Sequence, residues 1–419
     1  MSKPFFRLLL LLSIVSVHAQ EGAFSPYSFY GTGTTSFQGT VENRSMGGIS
    51  LMSDSIHLNL NNPAAYADLD YTAFTGGMSY NSITIEERIT DNNTIQDNNN
   101  ITTVDYFAIG IPLENMSFGF GLKPFSSVGY TIIESTEEGQ RNFEGRGGLN
   151  DVFLSAGYKV TDQLNVGATA SYIFGDIENR TVIFQPLIQF ASREFNNSDF
   201  KGVNVNFGAQ YDYKLNEKYE LTASLSYRPE FNMNVENTRN LAVVTFQNDG
   251  SEVVVNEQSS GLIKEDITLP SRLSMGLAIG EERVWGAGIE YVYKSASDFS
   301  DMPFNARDNV SYNATSSFKL GGYYVPRFND PQKYYNRINY RFGLRYEELD
   351  LNIGGEQLEE FGISFGVGLP AGRIFTNANL GVEYGIRGKV SDNLVKEEFV
   401  SLFLSFSFND LWFQDRKYN

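Results

Sequence analysis

Residues 203–213 read VNVNFGAQYDY. Val203, Val205, Phe207, Ala209, Tyr211 and Tyr213 take alternate positions, and Asn204, Asn206, Gly208, Gln210 and Asp212 fall between them. Successive strand side chains point to opposite faces, so this is a strand with one apolar and one polar face. After the polar turn KLNEK, residues 219–228 (YELTASLSYR) repeat the pattern, and residues 338–346 (INYRFGLRY) do so again. In residues 361–369, FGISFGVGL, the second face holds only Gly and Ser, which leaves room inside for an N-terminal segment or a ligand.

Several alternating runs exceed ten residues, whereas strands of soluble sandwiches average about five to six. Closure into a barrel also removes the edges that an open sheet must protect. The composition agrees. The 419 residues are 41 % hydrophobic and 14 % aromatic, which suits strands with one face to lipid and one to a polar interior. The net charge of −18 repels nucleic acid, so no nucleic-acid partner is expected. With no cysteine there is no disulfide framework, thiolate metal site or cysteine nucleophile.

The chain begins MSKPFFRLLLLLSIVSVHAQ. Lys3 and Arg7 precede an apolar run of roughly ten residues, against about twenty needed to span a bilayer, so residues 1–19 read as a signal peptide. The expected organisation is signal peptide 1–19, N-terminal plug segment 20–69, barrel 70–410 and periplasmic tail 411–419. The strand spans expected are 71–85, 101–112, 115–133, 149–160, 163–176, 200–214, 218–235, 266–281, 283–297, 308–325, 337–351, 357–370, 373–388 and 397–410. This makes an all-β, transmembrane antiparallel barrel of about fourteen strands, an even count as single-chain bacterial barrels require. Short turns near 113–115, 160–163, 214–218, 281–283 and 370–373 alternate with polar stretches at 87–100, 134–148, 177–199, 236–264 and 298–307, read as long outer loops. PRFNDPQKYYNR (326–337) fits this rhythm poorly, since it should be a short turn.

Two stretches stand out. The third strand, MSFGFGLKPFSSVGYTII, alternates normally until Pro124, which lacks a ladder donor and belongs at an edge or bulge. One reading is a bulge that bends the wall. The other is a lateral opening lined by Gly121, Pro124, Ser126, Ser127 and Gly129. The segment before the first strand carries Phe24, Tyr27, Phe29, Tyr30, Phe37, Met46, Ile49, Leu51 and Met52, too many apolar residues for a disordered tail. A barrel lumen can bury them. The segment ends in LNLNNPAAYADL (58–69), where Asn62-Pro63 favours a turn.

Catalysis has little to build on. His18 belongs to the signal peptide, leaving His57, which has no triad-like spacing. The scarcity of histidine with no cysteine removes the zinc and copper patterns. Neither an enzyme, a cofactor nor a metal is expected.

The order of signal peptide, RSMGGISLMSDSIHLNLNNPAAYADLD and about fourteen strands resembles the long-chain fatty acid transporter (FadL) family of outer-membrane proteins. The resemblance implies an N-terminal plug with a plug or gate motif at Gly47, Gly48, Asn62, Pro63 and Ala64, and an interrupted third strand that opens the wall sideways. The end, NDLWFQDRKYN, resembles that of many Bacteroidota barrels. The function it implies is passive uptake of a hydrophobic, fatty-acid-like molecule or lipid, with exit into the outer-membrane bilayer. The family also holds accessory barrels of multi-protein machines such as type IX secretion, so an outer-membrane protein partner is the second expectation.

Overall fold

The protein is described by a computed structural model covering residues 24–410, apart from 91–92, 138, 298, 300–306, 308 and 372–376. The expected signal peptide, residues 20–23 of the expected plug segment, most of the 298–307 stretch expected as an outer loop and the expected 411–419 tail lie outside the described residues. Among the described residues, fourteen strands run in order: β1 (Thr72–Thr90), β2 (Asn93–Pro112), β3 (Met116–Thr136), β4 (Gly139–Lys159), β5 (Leu164–Phe184) and β6 (Ala191–Lys214). β7 is Glu220–Arg228 continuing as Phe231–Phe246, and β8 is Glu252–Leu269 continuing as Arg272–Glu281. β9 (Trp285–Lys294) is followed by β10, which is Val310–Tyr312 continuing as Thr315–Tyr324. β11 (Asn339–Ile353), β12 (Glu356–Pro370), β13 (Asn377–Arg387) and β14 (Lys396–Asp410) complete the wall. Each strand pairs antiparallel with the next, and β14 pairs with β1 from Lys396↔Glu86 to Asp410↔Thr72, closing the ring.

The interruptions in β7 and β8 lie opposite each other, since Arg228↔Arg272 and Phe231↔Leu269 flank them. Pro229 and Pro270 occupy the breaks, and neither has an N–H to give the ladder.

The alternation resolves as apolar outside and polar inside. Val203, Val205, Phe207, Tyr211 and Tyr213 are exposed, while Asn204 and Gln210 are buried. Outward apolar side chains on all sides make this a membrane-spanning wall. The stretches expected as long outer loops are different from expectation. Residues 93–100, 139–148, 177–184, 191–199 and most of 236–264 are strand, joined by short connections. Above the membrane both faces of a strand meet water, so the apolar alternation stops although the backbone ladder continues. The polarity there reports solvent, not irregular backbone. The 325–338 connection is long, and it holds a single 3-10 turn, Tyr334–Arg337.

Residues 24–71 fold into short pieces: a 3-10 turn Pro26–Phe29, an extended pair Thr34–Thr35, a helical turn Val41–Arg44 and a 3-10 helix Pro63–Asp68. Tyr27, Phe29, Met46, Ile49 and Leu51 are buried. Inward-facing glycines let this segment touch the wall backbone. Gly157, Gly167 and Gly208 are cross-strand neighbours on β4, β5 and β6, and Pro63 sits against them. Gly288, Gly321 and Gly343 form a similar row on β9, β10 and β11, with Met46 and Gly47 seated on Gly321 and Gly343. A Cβ on Gly343 would stand 1.8 Å from the Gly47 nitrogen and 2.1 Å from the Met46 carbonyl carbon. Of the glycines in FGISFGVGL, Gly366 meets the segment, at Ser45, whereas Gly362 and Gly368 meet wall side chains.

Gly343→Val is therefore expected to leave the strand ladder intact and unseat residues 46–48, at an overpacking penalty of about 1–3 kcal/mol. Limited proteolysis of the folded barrel in detergent measures it: cleavage within residues 40–60 should accelerate while the barrel core stays resistant.

Candidate functional site

The wall is not uniformly joined. β2 and β3 pair only from Phe107↔Leu122 to Pro112↔Ser117. Beyond that, β2 stays with β1, and β3 stays with β4 as far as Thr136↔Gly139. The parting coincides with Lys123-Pro124. Pro124 has no N–H to offer a neighbour, and the β3–β4 register shifts between Pro124 and Ser126, leaving Phe125 out of register. The result is a seam with β2 residues 93–106 on one side and β3 residues 123–136 on the other.

The N-terminal segment occupies the freed edge of β3. Thr34 and Thr35 pair with Ser127 and Ser126. Ser36 N–H donates to the Phe125 carbonyl at 3.1 Å, and Ser25 N–H to the Gly129 carbonyl at 3.0 Å. Ser126 Oγ donates to the Thr32 carbonyl at 2.7 Å, and Gly129 N–H to Ser28 Oγ at 3.1 Å. Gln38 Nε2 donates to the Pro124 carbonyl at 3.0 Å, while Lys123 Nζ donates to the Gln38 carbonyl at 3.3 Å. Residues 25–38 thus replace β2 as the partner of β3.

Of the residues expected at an opening, Pro124, Ser126, Ser127 and Gly129 lie together on this edge. Gly121 lies below it, still paired with Ala108. The motif residues are elsewhere. Gly47 and Gly48 follow the Val41–Arg44 turn with φ of +67° and +80°, and they rest on the β10–β12 side, where Gly47 N–H donates to Ser364 Oγ at 3.0 Å. Asn62 caps the Pro63–Asp68 helix by accepting from Ala64 N–H at 3.1 Å, and its Nδ2 donates to Ser224 Oγ on β7 at 2.9 Å. Asn62, Pro63 and Ala64 are all buried. These two groups are seats on facing parts of the wall, and neither touches the seam.

The lumen has two characters. Inward side chains of β3 to β8 form one apolar cluster, including Phe125, Val128, Leu149, Ile173, Phe200 and Phe231, into which Phe29 inserts. Phe29 meets Tyr130 and Phe143 edge-on, at 5.2 and 5.6 Å between ring centres. The β11–β14 side is ionic. Arg44 of the segment reaches Glu383 at 2.7 Å, and Glu383 also holds Arg345 at 2.8 Å. Arg345 pairs with Glu360, Glu360 with Arg387 at 2.6 Å, and Arg387 with Glu397 at 3.0 Å. The Ser25 hydroxyl donates to Glu397, and Tyr27 Oη donates to the Val395 carbonyl at 2.5 Å. Sequence reading missed this ladder. Its signal was the set of charges on the polar positions of INYRFGLRY and its neighbours, which alternation places inside but does not pair.

His57 is held by Asp54, with Nδ1 to Oδ2 at 2.5 Å, while the Ile56 and His57 N–H groups donate to Asp54 Oδ1 at 2.8 and 2.6 Å. Burial opposes the charge on His57, but the Asp54 and Glu42 carboxylates outweigh it and hold its pKa above the usual 6.5. Burial also opposes the charge on Asp54, and His57 with the two backbone donors holds its pKa below the usual 3.8. Among the described residues, no group of three or more His, Cys, Asp or Glu is placed to hold a metal ion.

The BamG family model matches residues 1–419. The chain belongs to the BamG family. No curated protein matches it. Among solved structures, this BamG-family chain is similar to the P. putida toluene transporter TodX, with TM-score 0.61 and 16% identity over 89% of this chain and 99% of that one. It is also similar to the CymD monoaromatic hydrocarbon channel, with TM-score 0.57 and 13% identity over 90% and 99% of the two chains. A Pseudomonas aeruginosa FadL homologue gives TM-score 0.58 and 12% identity over 90% and 98%. At these identities the likeness is one of fold: the fourteen-stranded barrel.

Two outcomes follow for the segment. Glu383→Gln strands the Arg44 guanidinium and should lower stability by about 3 kcal/mol, with much of the loss recovered when Arg44→Gln is added; thermal melts in detergent read both. The His57 contribution is complete below pH 6.5 and is lost as pH rises through its raised value. The Asp54 contribution is present above pH 3.8 and is lost as pH falls through its depressed value. Hydrogen exchange at residues 53–58 should therefore speed up at alkaline pH beyond the intrinsic trend, and His57→Ala should remove that excess.

Proposed function

We propose that this protein is a passive outer-membrane channel for hydrophobic, fatty-acid-like small molecules, exported by its signal peptide, with residues 20–69 as a plug and lateral exit into the bilayer. The observation that carries this reading is the β2–β3 seam above Phe107↔Leu122. The apolar cluster abuts it, because Phe125 and Val128 belong both to the cluster and to the freed β3 edge. A ligand held by that cluster has a short apolar route to lipid, and the step is downhill because apolar area leaves water. Residues 25–38 are the part of the plug that shifts, since hydrogen bonds to the β3 edge and the apolar packing of Phe29 hold them there. Residues 46–48 and 62–66, seated on glycine floors, are the part that stays.

The absence of native cysteine makes a direct test available. Thr35 and Ser126 are cross-strand partners, and opposed Cα atoms of an antiparallel pair are about 4.5–5.5 Å apart, within disulfide range. A Thr35→Cys/Ser126→Cys variant should take up labelled hydrophobic compounds normally when reduced and several-fold more slowly when oxidised. Equal uptake in both states, or equal uptake by cells with and without the gene across a broad panel, rejects the reading.

An accessory barrel in a multi-protein outer-membrane machine is the second reading. The 325–338 connection favours it, with exposed Phe328, Tyr334 and Tyr335 beside Arg283 and Arg337. A stoichiometric partner in mild-detergent purification, lost when 326–337 is replaced by a short turn, would decide for it.

A further inference from the structure

Three cations stand side by side on the inner wall. Arg272 on β8 is the direct cross-strand partner of Arg228 on β7 and of Lys294 on β9. All three line one lumen cavity of about 380 Å³, and Lys123 and Asp151, themselves a cross-strand pair on β3 and β4, line it too. Like charges placed directly opposite destabilise a sheet, so this row works against the fold unless something negative meets it.

Among the described residues, none supplies that charge by direct contact. Among the described residues, no carboxylate lies within 4.0 Å of Arg228, Arg272 or Lys294, whereas Lys123 and Asp151 are 3.9 Å apart. Arg228 Nε is buried without a hydrogen-bond partner. Two acids line the same cavity as Lys294: Glu347 is paired with Lys319 at 3.2 Å, and Asp350, which accepts from Ser297 Oγ at 3.0 Å, offsets part of the row's charge. An orphaned buried guanidinium donor is costly, and here it belongs to a side chain that lines the cavity beside two further cations. Leu269, Val292 and Phe299 line the cavity beside the row, and the acids Glu360 and Glu397, held by Arg387, line it further off.

From this we infer that the Arg228–Arg272–Lys294 row is a binding site for a phosphate group, carried by a phosphomonoester. A monocarboxylate brings one charge and two oxygens, and it would leave two of the three cations facing each other. A phosphomonoester brings close to two charges and three strong acceptor oxygens, which suits three donors in a row. Arginine's fork favours such oxygens in particular. The source is a phosphorylated lipid headgroup or a free phosphate compound, since both present the same oxygens. The site is independent of transport through the seam, because binding is read on the purified barrel whether or not anything crosses it.

The experiment uses the full-length barrel in a neutral detergent. Inorganic phosphate, acetate at matched ionic strength, short-chain phosphatidic acid and phosphatidylcholine are titrated by calorimetry and by thermal melting. Phosphate is expected to bind saturably and raise the melting temperature, and acetate to do neither. Arg272→Gln should weaken phosphate binding by about tenfold. The same variant should melt higher than the parent in phosphate-free buffer, because it relieves the row; a merely structural arginine would melt lower. Lys294→Gln provides the same readouts should Arg272→Gln not fold, and Lys264→Gln, on the exposed outer part of β8, should change nothing. Tighter binding of phosphatidic acid than of inorganic phosphate assigns the site to a lipid headgroup, and the reverse order assigns it to a free phosphate. Phosphate acting no differently from acetate, or binding unchanged in Arg272→Gln, overturns the inference.

Discussion

In lipid, a backbone N–H or carbonyl has no water to turn to, so each must be paired by another strand. The ring of fourteen strands satisfies this by closing β14 on β1. The seam between β2 and β3 is where the rule comes under strain, because Pro124 has no donor and the bulge beside it turns β3 away from β2. The protein meets the demand by folding its own N-terminus back, so that residues 25–38 pair with the abandoned edge. The same stretch that packs against the inner wall therefore also pairs with the β3 side of the seam.

That double duty explains the contrast between the two sides of the lumen. Towards β3–β8 the segment is received by aromatic and aliphatic side chains, which are non-directional and tolerate displacement. Towards β11–β14 it is received by the Arg44–Glu383 pair and the ladder behind it, which is directional and penalises any single loss. At its middle and its end, glycine rows bring backbone against backbone and fix height and register. The segment is thus held by directional bonds on one side, by apolar packing on the other, and by backbone contact with glycines between.

How much of this the sequence discloses depends on what sets each feature. Strand identity follows from local alternation, so VNVNFGAQYDY and YELTASLSYR report their faces directly, and Pro124 marks the parting because its chemistry is local. The outer halves of β1 to β8 were hidden because water on both faces erases alternation without ending the ladder. Asn62-Pro63-Ala64 reads locally as a turn, and it is one: a cap and the start of a 3-10 helix. What no local pattern conveys is that Pro63 rests on Gly157, Gly167 and Gly208, residues scattered over three strands and aligned only by register. The Arg44–Glu383 pair, 339 positions apart, is invisible for the same reason.

The contacts of Ser25 and Tyr27 reach furthest of all, to Glu397 and to Val395 beside β14. The first residues of the segment are synthesised before any strand, yet their seat is made by the last one. Pairings of such sequence separation form late, after the entropy of closing the loop has been met. Order in the N-terminus is thus a sign of completed assembly: a barrel halted before β14 joins β1 would carry a loose N-terminus and an unfilled β3 edge, and sealing the membrane wall and seating the segment become one event.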